Sequence, residues 1–366
     1  MTMPKKSLQP SMDLVRAGVN RHLAGFLAEA IAKTPHAPGF TPLFDDLAEF
    51  VLRPGKRIRP LIYLAAARFF QPDNVWLAPS RLACAGSLEL LHAFILIHDD
   101  IIDRSELRRG EPSLHKLLER RTSTFSDRQR IGSNLALVMG DVLFAMGQRC
   151  LLESGEPKAA QQLSRLLGYI IETGVGEASD IVFGTRDVGK IDLDDIELMY
   201  LQKTTRYTIE APLVLAAILG DATEEQLKEL AVIAEPAGLA FQIQNDLEEF
   251  RKFEVSDEAI SSDLLEGKKT CLMRTAFEML NETDQGILQL CLNGIQPSEA
   301  TASKVRELVI KSGATLRLQN RVETLCSRSL QNVCESSFDA SIREGLEGII
   351  TMLCQITKPV SHEVAV

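Results

Sequence analysis

Apolar residues recur at three- and four-residue steps along almost the whole chain, and that periodicity confines it to an all-α fold. Between Ser11 and Lys33, Leu14, Val15, Val19, Leu23, Phe26, Leu27, Ala30 and Ile31 form one such stripe. Similar stripes cover Ile58–Phe70, Pro79–Asp103, Asn134–Glu153, Lys158–Phe183, Leu193–Leu219 and Glu224–Lys252. Shorter ones cover Cys271–Asn281, Ser298–Ser312, Thr315–Cys334 and the stretch before Thr357. No run alternates with period two between turn signals. Breaks are expected at 35–42, Gly110–Pro112, 154–157, Gly184–Gly189 and Ser256–Lys269, and none is a long linker. The expectation is one all-α domain over residues 1–366, with 1–10 and 358–366 as mobile tails. The helices from Pro79 to Phe183 are apolar over wide arcs, as expected for helices in the middle of a large bundle.

Net charge is −10 over 366 residues, which argues against sequence-independent binding to nucleic acid or to an anionic membrane. It leaves an anionic ligand open, because such a site needs only a few local cations. The seven cysteines, Cys84, Cys150, Cys271, Cys291, Cys326, Cys334 and Cys354, are scattered and form no CxxC pair. They are expected to be reduced core thiols of a cytoplasmic protein. No apolar stretch follows the lysines of MTMPKKSLQP, and no run approaches the roughly 18 apolar residues that span a bilayer. The chain is therefore expected not to be an integral membrane protein.

The strongest local feature is HDDIIDRSELRRGEP (98–112). On a helix Asp99 and Asp103 lie one turn apart on the same face, with Asp100 three residues from Asp103. Three carboxylates so placed repel one another unless something cationic sits between them. Hard oxygen donors with open positions suit Mg²⁺, which keeps waters and bridges to phosphates. The paired Arg108 and Arg109 follow before a glycine turn, as a metal–phosphate clamp needs. A second acidic group, FQIQNDLEEF (241–250), ends another apolar helix, and there Asn245 and Glu249 share a face with Asp246 beside them. Two acidic helix ends facing each other could hold one diphosphate through several metal ions. RPGKRIRP (53–60) sets Lys56, Arg57 and Arg59 around a Pro-Gly turn that opens a helix, where free amides also favour an anion. Lys203–Thr204 and Gly267–Lys268 are further candidates.

Taken together, GKRIRP (55–60), ELLHAFILIHDDIIDRSELRRGEPS (89–113), MGD (139–141), KTT (203–205), FQIQND (241–246) and GKKT (267–270) resemble the trans-isoprenyl diphosphate synthases, or polyprenyl synthetase family. The likeness runs from about residue 45 to 275, in the family's order. It implies a helical bundle around a deep apolar pocket, usually as a homodimer. It also implies condensation of isopentenyl diphosphate with an allylic diphosphate, with three Mg²⁺ ions. Asp99 and Asp103 would ligate Mg²⁺ on the allylic diphosphate, with Asp100 supporting through water. Arg108 would bind the allylic diphosphate, and Arg109, Lys56, Arg59 and His92 the isopentenyl diphosphate. Lys203, Gln242 and Lys268 would line the allylic side, and Thr204 would lie beside the developing cation. Five residues before Asp99, Phe94 would stop the growing chain, which implies a short product, C20 first and C15 second.

The second motif departs from the family's DDxxD, since Asn245 stands where the first aspartate is a direct ligand and Asp246 and Glu249 complete the set. Asparagine still ligates Mg²⁺, more weakly. Terpene cyclases of the same superfold often begin this motif with Asn-Asp. They continue with Ser or Thr at the position of Glu249 and a Glu where this chain has Phe253, and they lack the paired arginines. A cyclase on this scaffold, or a non-catalytic partner subunit, are the alternatives.

Overall fold

The computed structural model describes residues 9–72, 75–122, 126–255, 264, 266–293 and 298–356. The expected tails therefore lie outside the described residues, except that 9 and 10 already belong to the first helix; 256–263 and 265 of the last expected break lie outside as well. By contacts the chain divides into two compact units, residues 1–165 with 215–221 and residues 166–214 with 222–366.

The first unit contains α1 (Gln9–Lys33), α2 (Thr41–Leu52), α3 (Ile58–Phe70), α4 (Pro79–Ile102), α5 (Leu114–Arg121) and α6 (Arg128–Leu152). Among its helices α4 packs against α1, α2, α3, α5 and α6. Residues Ala83 to Leu91 are accordingly buried on every side, which the wide apolar arc anticipated. Both α4 and α6 are long and apolar enough to cross a bilayer, contrary to the reading that no run approaches that length. For α4 the cause is its central place, with 67% of its most apolar window buried inside the protein. Helix α2 went unrecognised because it begins within a Pro/Gly-rich break, although Phe44, Leu47, Phe50 and Val51 give it a buried stripe. Between α4 and α5 a two-residue antiparallel ladder pairs Leu107 with Pro112 and Arg108 with Glu111, so the break expected at Gly110–Pro112 is a hairpin. Arg109 and Gly110 turn it with φ of 59° and 81°.

Helix α7 (Ala159–Gly184) and helix α9 (Ala211–Leu219) each contain a boundary between the units. The second unit holds α8 (Leu193–Tyr200), α10 (Glu224–Val255), α11 (Cys271–Met279), α12 (Glu282–Leu292), α13 (Glu299–Ser312), α14 (Ala314–Glu335) and α15 (Ala340–Ile356). Periodicity suggested one helix over Leu193–Leu219, but residues Leu201–Glu210 form a π-helix instead. That widened turn carries Lys203 and Thr204, and such distortions concentrate at functional sites. It is seated by two glycines: a Cβ on Gly176 would come 2.4 Å from the Lys203 amide, and one on Gly238 would come 2.1 Å from Thr205 Cγ2.

Helix α10 starts with a capping box, in which Thr223 Oγ1 accepts from the Gln226 amide while Gln226 Oε1 accepts from the Thr223 amide. It packs against α14, α15 and the π-helix. Pro236 within it has no N–H to offer the Val232 carbonyl. Asn332 of α14 supplies that donor at 2.8 Å, and Ser329 donates to the next carbonyl, Ile233, at 2.7 Å. The late helices, which the sequence reading left without a role, thus supply donors around Pro236 in the helix that carries Gln242 to Glu249. The seven cysteines are free; Cys84, Cys150 and Cys271 are buried, whereas Cys334 is exposed, because it lies on the outer face of α14.

Candidate active site

Helix α4 ends at its aspartates, with Asp103 as its C-cap. The hairpin returns Arg108 to this helix end, so the cation required between the carboxylates comes from the chain itself. Arg108 Nε donates to Asp100 Oδ1 at 2.7 Å, Nη2 donates to the same oxygen, and Nη2 donates to Asp99 Oδ2 at 3.0 Å. Asp100 is fully buried, and its Oδ2 has no hydrogen-bond partner. Burial pushes the Asp100 carboxyl up to about 6, and Arg108 opposes that push.

A cleft in the same unit is lined by Arg53, Arg57, Arg108, Arg109, His92 and Glu89 beside apolar side chains of α2 and α4. The Gly-Lys-Arg turn brings Arg57 into the left-handed region, with φ of 50°. That turns its side chain inward, where Nη1 donates to Glu89 Oε2 at 2.5 Å and Nε to Asn20 Oδ1 at 3.0 Å. Nη2 donates to the carbonyls of Val51 and Arg53. Arg53 is held by Glu49 and the Pro112 carbonyl, and its own carbonyl accepts from Arg109 Nη1 at 3.1 Å. Gly55 clears room for that guanidinium, since a Cβ there would lie 2.9 Å from Arg109 Cζ. His92 is half-buried with its Nδ1 enclosed and without a partner. Burial, and then Arg59, Arg109, Arg108 and Arg57, hold its pKa well below 6.5, so it stands neutral among cations. Lys56 is exposed at the turn and Arg59 is half-buried.

Phe94 is half-buried on α4, 5.1 Å from the ring of Phe144 on α6 and edge-on to His98 at 4.7 Å. His98 Nε2 lies 3.2 Å from the Leu137 carbonyl, a fit that Gly140 permits, because a Cβ there would come 2.5 Å from that nitrogen. His98 therefore braces α4 against α6, and the glycine of the MGD motif makes room for it.

In the second unit Lys203 Nζ lies 2.8 Å from Glu177 and 2.7 Å from Asp180, and Lys268 pairs with Glu266. Thr204 Oγ1 donates to Gln242 Oε1 at 3.0 Å, and Gln242 Nε2 donates to Asp246 Oδ1 at 3.0 Å. Asp246 is buried, and its other oxygen accepts from the Tyr200 hydroxyl. Asn245 and Glu249 are half-buried on the same helix. Glu89, Phe144 and Tyr200 escaped the sequence reading, because an acid, a ring and a phenol inside apolar stripes look like ordinary helix residues.

Among the described residues no three His, Cys, Asp or Glu side chains stand close enough to enclose a metal by themselves. Asp99 and Asp103 at a helix end, beside the unpartnered Asp100 Oδ2, instead fit an ion that keeps waters and takes further ligands from a phosphate.

A sequence model of the family described as Polyprenyl synthetase matches residues 41–309. A short chain isoprenyl diphosphate synthase of Methanothermobacter thermautotrophicus is 30% identical over 265 residues, 71% of this chain and 74% of that protein. A geranylfarnesyl diphosphate synthase of Aeropyrum pernix is 30% identical over 281 residues, 75% of this chain and 81% of that one. The crystal structure of geranylgeranyl pyrophosphate synthase from Corynebacterium glutamicum, complexed with isoprenyl diphosphate and magnesium, superposes with a TM-score of 0.81 at 26% identity. That comparison covers 94% of this chain and 99% of the other.

Proposed function

This chain belongs to the polyprenyl synthetase family, and from that premise we propose that it is a trans-prenyltransferase condensing isopentenyl diphosphate with an allylic diphosphate. The observation that carries the reading is the cleft in which neutral His92 stands among arginines beside the acidic end of α4. A cyclase, which takes one diphosphate, has no use for this second cationic pocket. The test supplies isopentenyl diphosphate with C5, C10 or C15 allylic diphosphates and Mg²⁺, with products identified by mass spectrometry. Longer prenyl diphosphates are expected; hydrocarbons, or no turnover, would sink the reading.

Arg109, Arg59, Lys56 and His92 bind the diphosphate of isopentenyl diphosphate, and Arg57 frames their pocket through Glu89. Arg108 is the allylic-diphosphate cation of the first unit and Lys203 and Lys268 are those of the second, and to bind an anion each must exchange the carboxylate it now holds. Asp99 and Asp103 hold Mg²⁺, with Asp100 supporting them through its unpartnered oxygen. Mg²⁺ supplies charge stabilisation of the departing diphosphate, worth several kcal/mol. Thr204 and Gln242 line the path of the allylic cation, and preorganised groups of this kind stabilise it without reorganising. The released diphosphate removes the proton, so no side-chain base is needed.

In the second acidic segment Asn245 and Glu249 are the ligands, and Asp246, whose two oxygens accept from Gln242 and Tyr200, orients Gln242. Three ions are held in all. Asn245→Asp restores a negative charge at the metal, so the Mg²⁺ concentration for half-maximal rate falls severalfold with prenyl diphosphates still the product. A magnesium titration of both proteins checks this, and an unchanged requirement would remove Asn245 from the ligand set.

Phe94 sets a C20 or C15 limit, supported by its half-buried ring on the helix that ends in the aspartates. Phe94→Ala shifts products to longer chains in the same mass-spectrometric assay, with Phe144 left as the next ring. An unchanged distribution from a folded variant would put the limit elsewhere. The protein works as a homodimer, a reading supported by exposed apolar residues on α7, where Ile171, Val175, Ile181 and Val182 are 45–69% exposed. Sedimentation as a monomer at micromolar concentration would end it.

A further inference from the structure

We propose that Tyr200 is a positioning residue of the condensation, whose one hydroxyl locks together the segments that carry Lys203 and Thr204, Gln242 and Asp246, and Lys268. The proposal rests on the prenyltransferase reading above. Tyr200 is the last residue of α8, directly before the π-helix, and its side chain is buried. The hydroxyl donates to Asp246 Oδ2 on α10 and accepts the Cys271 amide, at 3.0 Å, from the start of α11. Helix α11 begins three residues after Lys268 and is capped by Thr270, whose side chain accepts from the Met273 amide. One hydroxyl thus serves three chain segments.

The polarity of the network follows from its anchor. A carboxylate only accepts, so Asp246 Oδ1 requires the amide nitrogen of Gln242 and fixes that side chain's orientation. Gln242 must then present its carbonyl oxygen to Thr204, whose hydroxyl proton points at it. The lone pairs of Thr204 Oγ1 are left facing away from Gln242, the polarity a neighbouring carbocation needs. Were Tyr200 unable to donate, Asp246 would have a buried oxygen to satisfy and could turn from Gln242. The amide could then flip and the Thr204 proton would be free to rotate. Asp246 is in this account an anchor for Gln242 and Thr204, not a magnesium ligand.

Tyr200→Phe removes only the hydroxyl and keeps the ring in its packing. Circular dichroism is expected to stay native, and the thermal midpoint to fall by about a few degrees, because an oxygen of Asp246 and the Cys271 amide lose a buried partner. At saturating substrates kcat falls about tenfold or more, the scale of a lost buried hydrogen bond to a charged group. KM for isopentenyl diphosphate stays within about twofold, because hydrogen bonding by this hydroxyl is confined to the second unit. Combining Tyr200→Phe with Asp246→Asn gives a loss well below the product of the two single losses. Calorimetric titration with Mg²⁺ and inorganic pyrophosphate, independent of turnover, is expected to show severalfold weaker binding to Tyr200→Phe. Wild-type kcat, multiplicative losses in the double variant, or unchanged pyrophosphate affinity would each overturn the proposal. A wild-type protein that elongates nothing would overturn the prenyltransferase reading instead, and the calorimetry would still decide for or against Tyr200.

Discussion

Asp103→Ala, and likewise Asp99→Ala, is expected to lower kcat by about three orders of magnitude or more, since metal stabilisation of a leaving diphosphate is worth several kcal/mol. The two should differ in stability. Mutual repulsion among the aspartates alone would make either removable at little cost to folding, but Arg108 pairs with two of them and offsets one of their charges. Asp99→Ala takes one hydrogen bond from Arg108 and leaves it on Asp100, so a small loss of stability is expected. Asp103 contributes its backbone to the end of α4 through the bond from its amide to the Asp99 carbonyl, which alanine keeps. Asp100→Ala is the informative control, because it takes two hydrogen bonds from a half-buried guanidinium and leaves the one to Asp99, and it should lower the denaturation midpoint most of the three. Steady-state rates at saturating Mg²⁺, together with thermal melts, separate these effects. Wild-type turnover in both Asp99→Ala and Asp103→Ala would end the metal-clamp proposal.

Much of this was legible in the chain because two kinds of signal are local. Helical stripes need only a few turns of sequence, and Ile58–Phe70 was delimited to the residue. The motif HDDIID places its carboxylates by helix geometry alone. What stayed hidden depends on which way a side chain turns. In RPGKRIRP three cations look alike, yet the left-handed backbone at Arg57 sends that one into the core and leaves Lys56 outside. Lys203, Lys268 and Arg108 each hold a carboxylate whose identity no spacing rule supplies. The π-helix at Leu201–Glu210 keeps an apolar stripe while changing its pitch, so periodicity passed over it. Tyr200 was invisible for the same reason: a buried ring satisfies the stripe, and its hydroxyl matters only because α10 and the start of α11 converge on it.

The buried pair of Arg57 and Glu89 carries the largest expected effect on stability. Their side chains are 2% and 3% exposed, and Arg57 has a partner at each of its three nitrogens. Glu89→Ala removes the carboxylate and leaves a guanidinium enclosed, a change expected to cost about 3–5 kcal/mol of unfolding free energy. Arg57→Ala should cost about as much, because the carboxylate of Glu89 is then stranded and the carbonyls of Val51 and Arg53 lose their donor. The pair itself is worth less than either single loss suggests, since two desolvated charges offset much of their own attraction. Arg57→Met with Glu89→Leu should therefore recover a good part of the stability. Function need not follow. Glu89 is the negative charge that partly offsets the mutual repulsion of Arg57, Arg59, Arg108 and Arg109. The apolar double variant removes Arg57 as well and so keeps the pocket's net charge. It loses, however, the bonds from Arg57 to the Val51 and Arg53 carbonyls that seat the turn carrying Lys56 and Arg59. Even when well folded it should therefore show a raised KM for isopentenyl diphosphate. Urea denaturation of the four proteins tests the first half, and KM for isopentenyl diphosphate tests the second. A Glu89→Ala protein within about 1 kcal/mol of wild type would mean that water or a shifted arginine reaches the site, and that the Gly-Lys-Arg turn is held by something other than this pair.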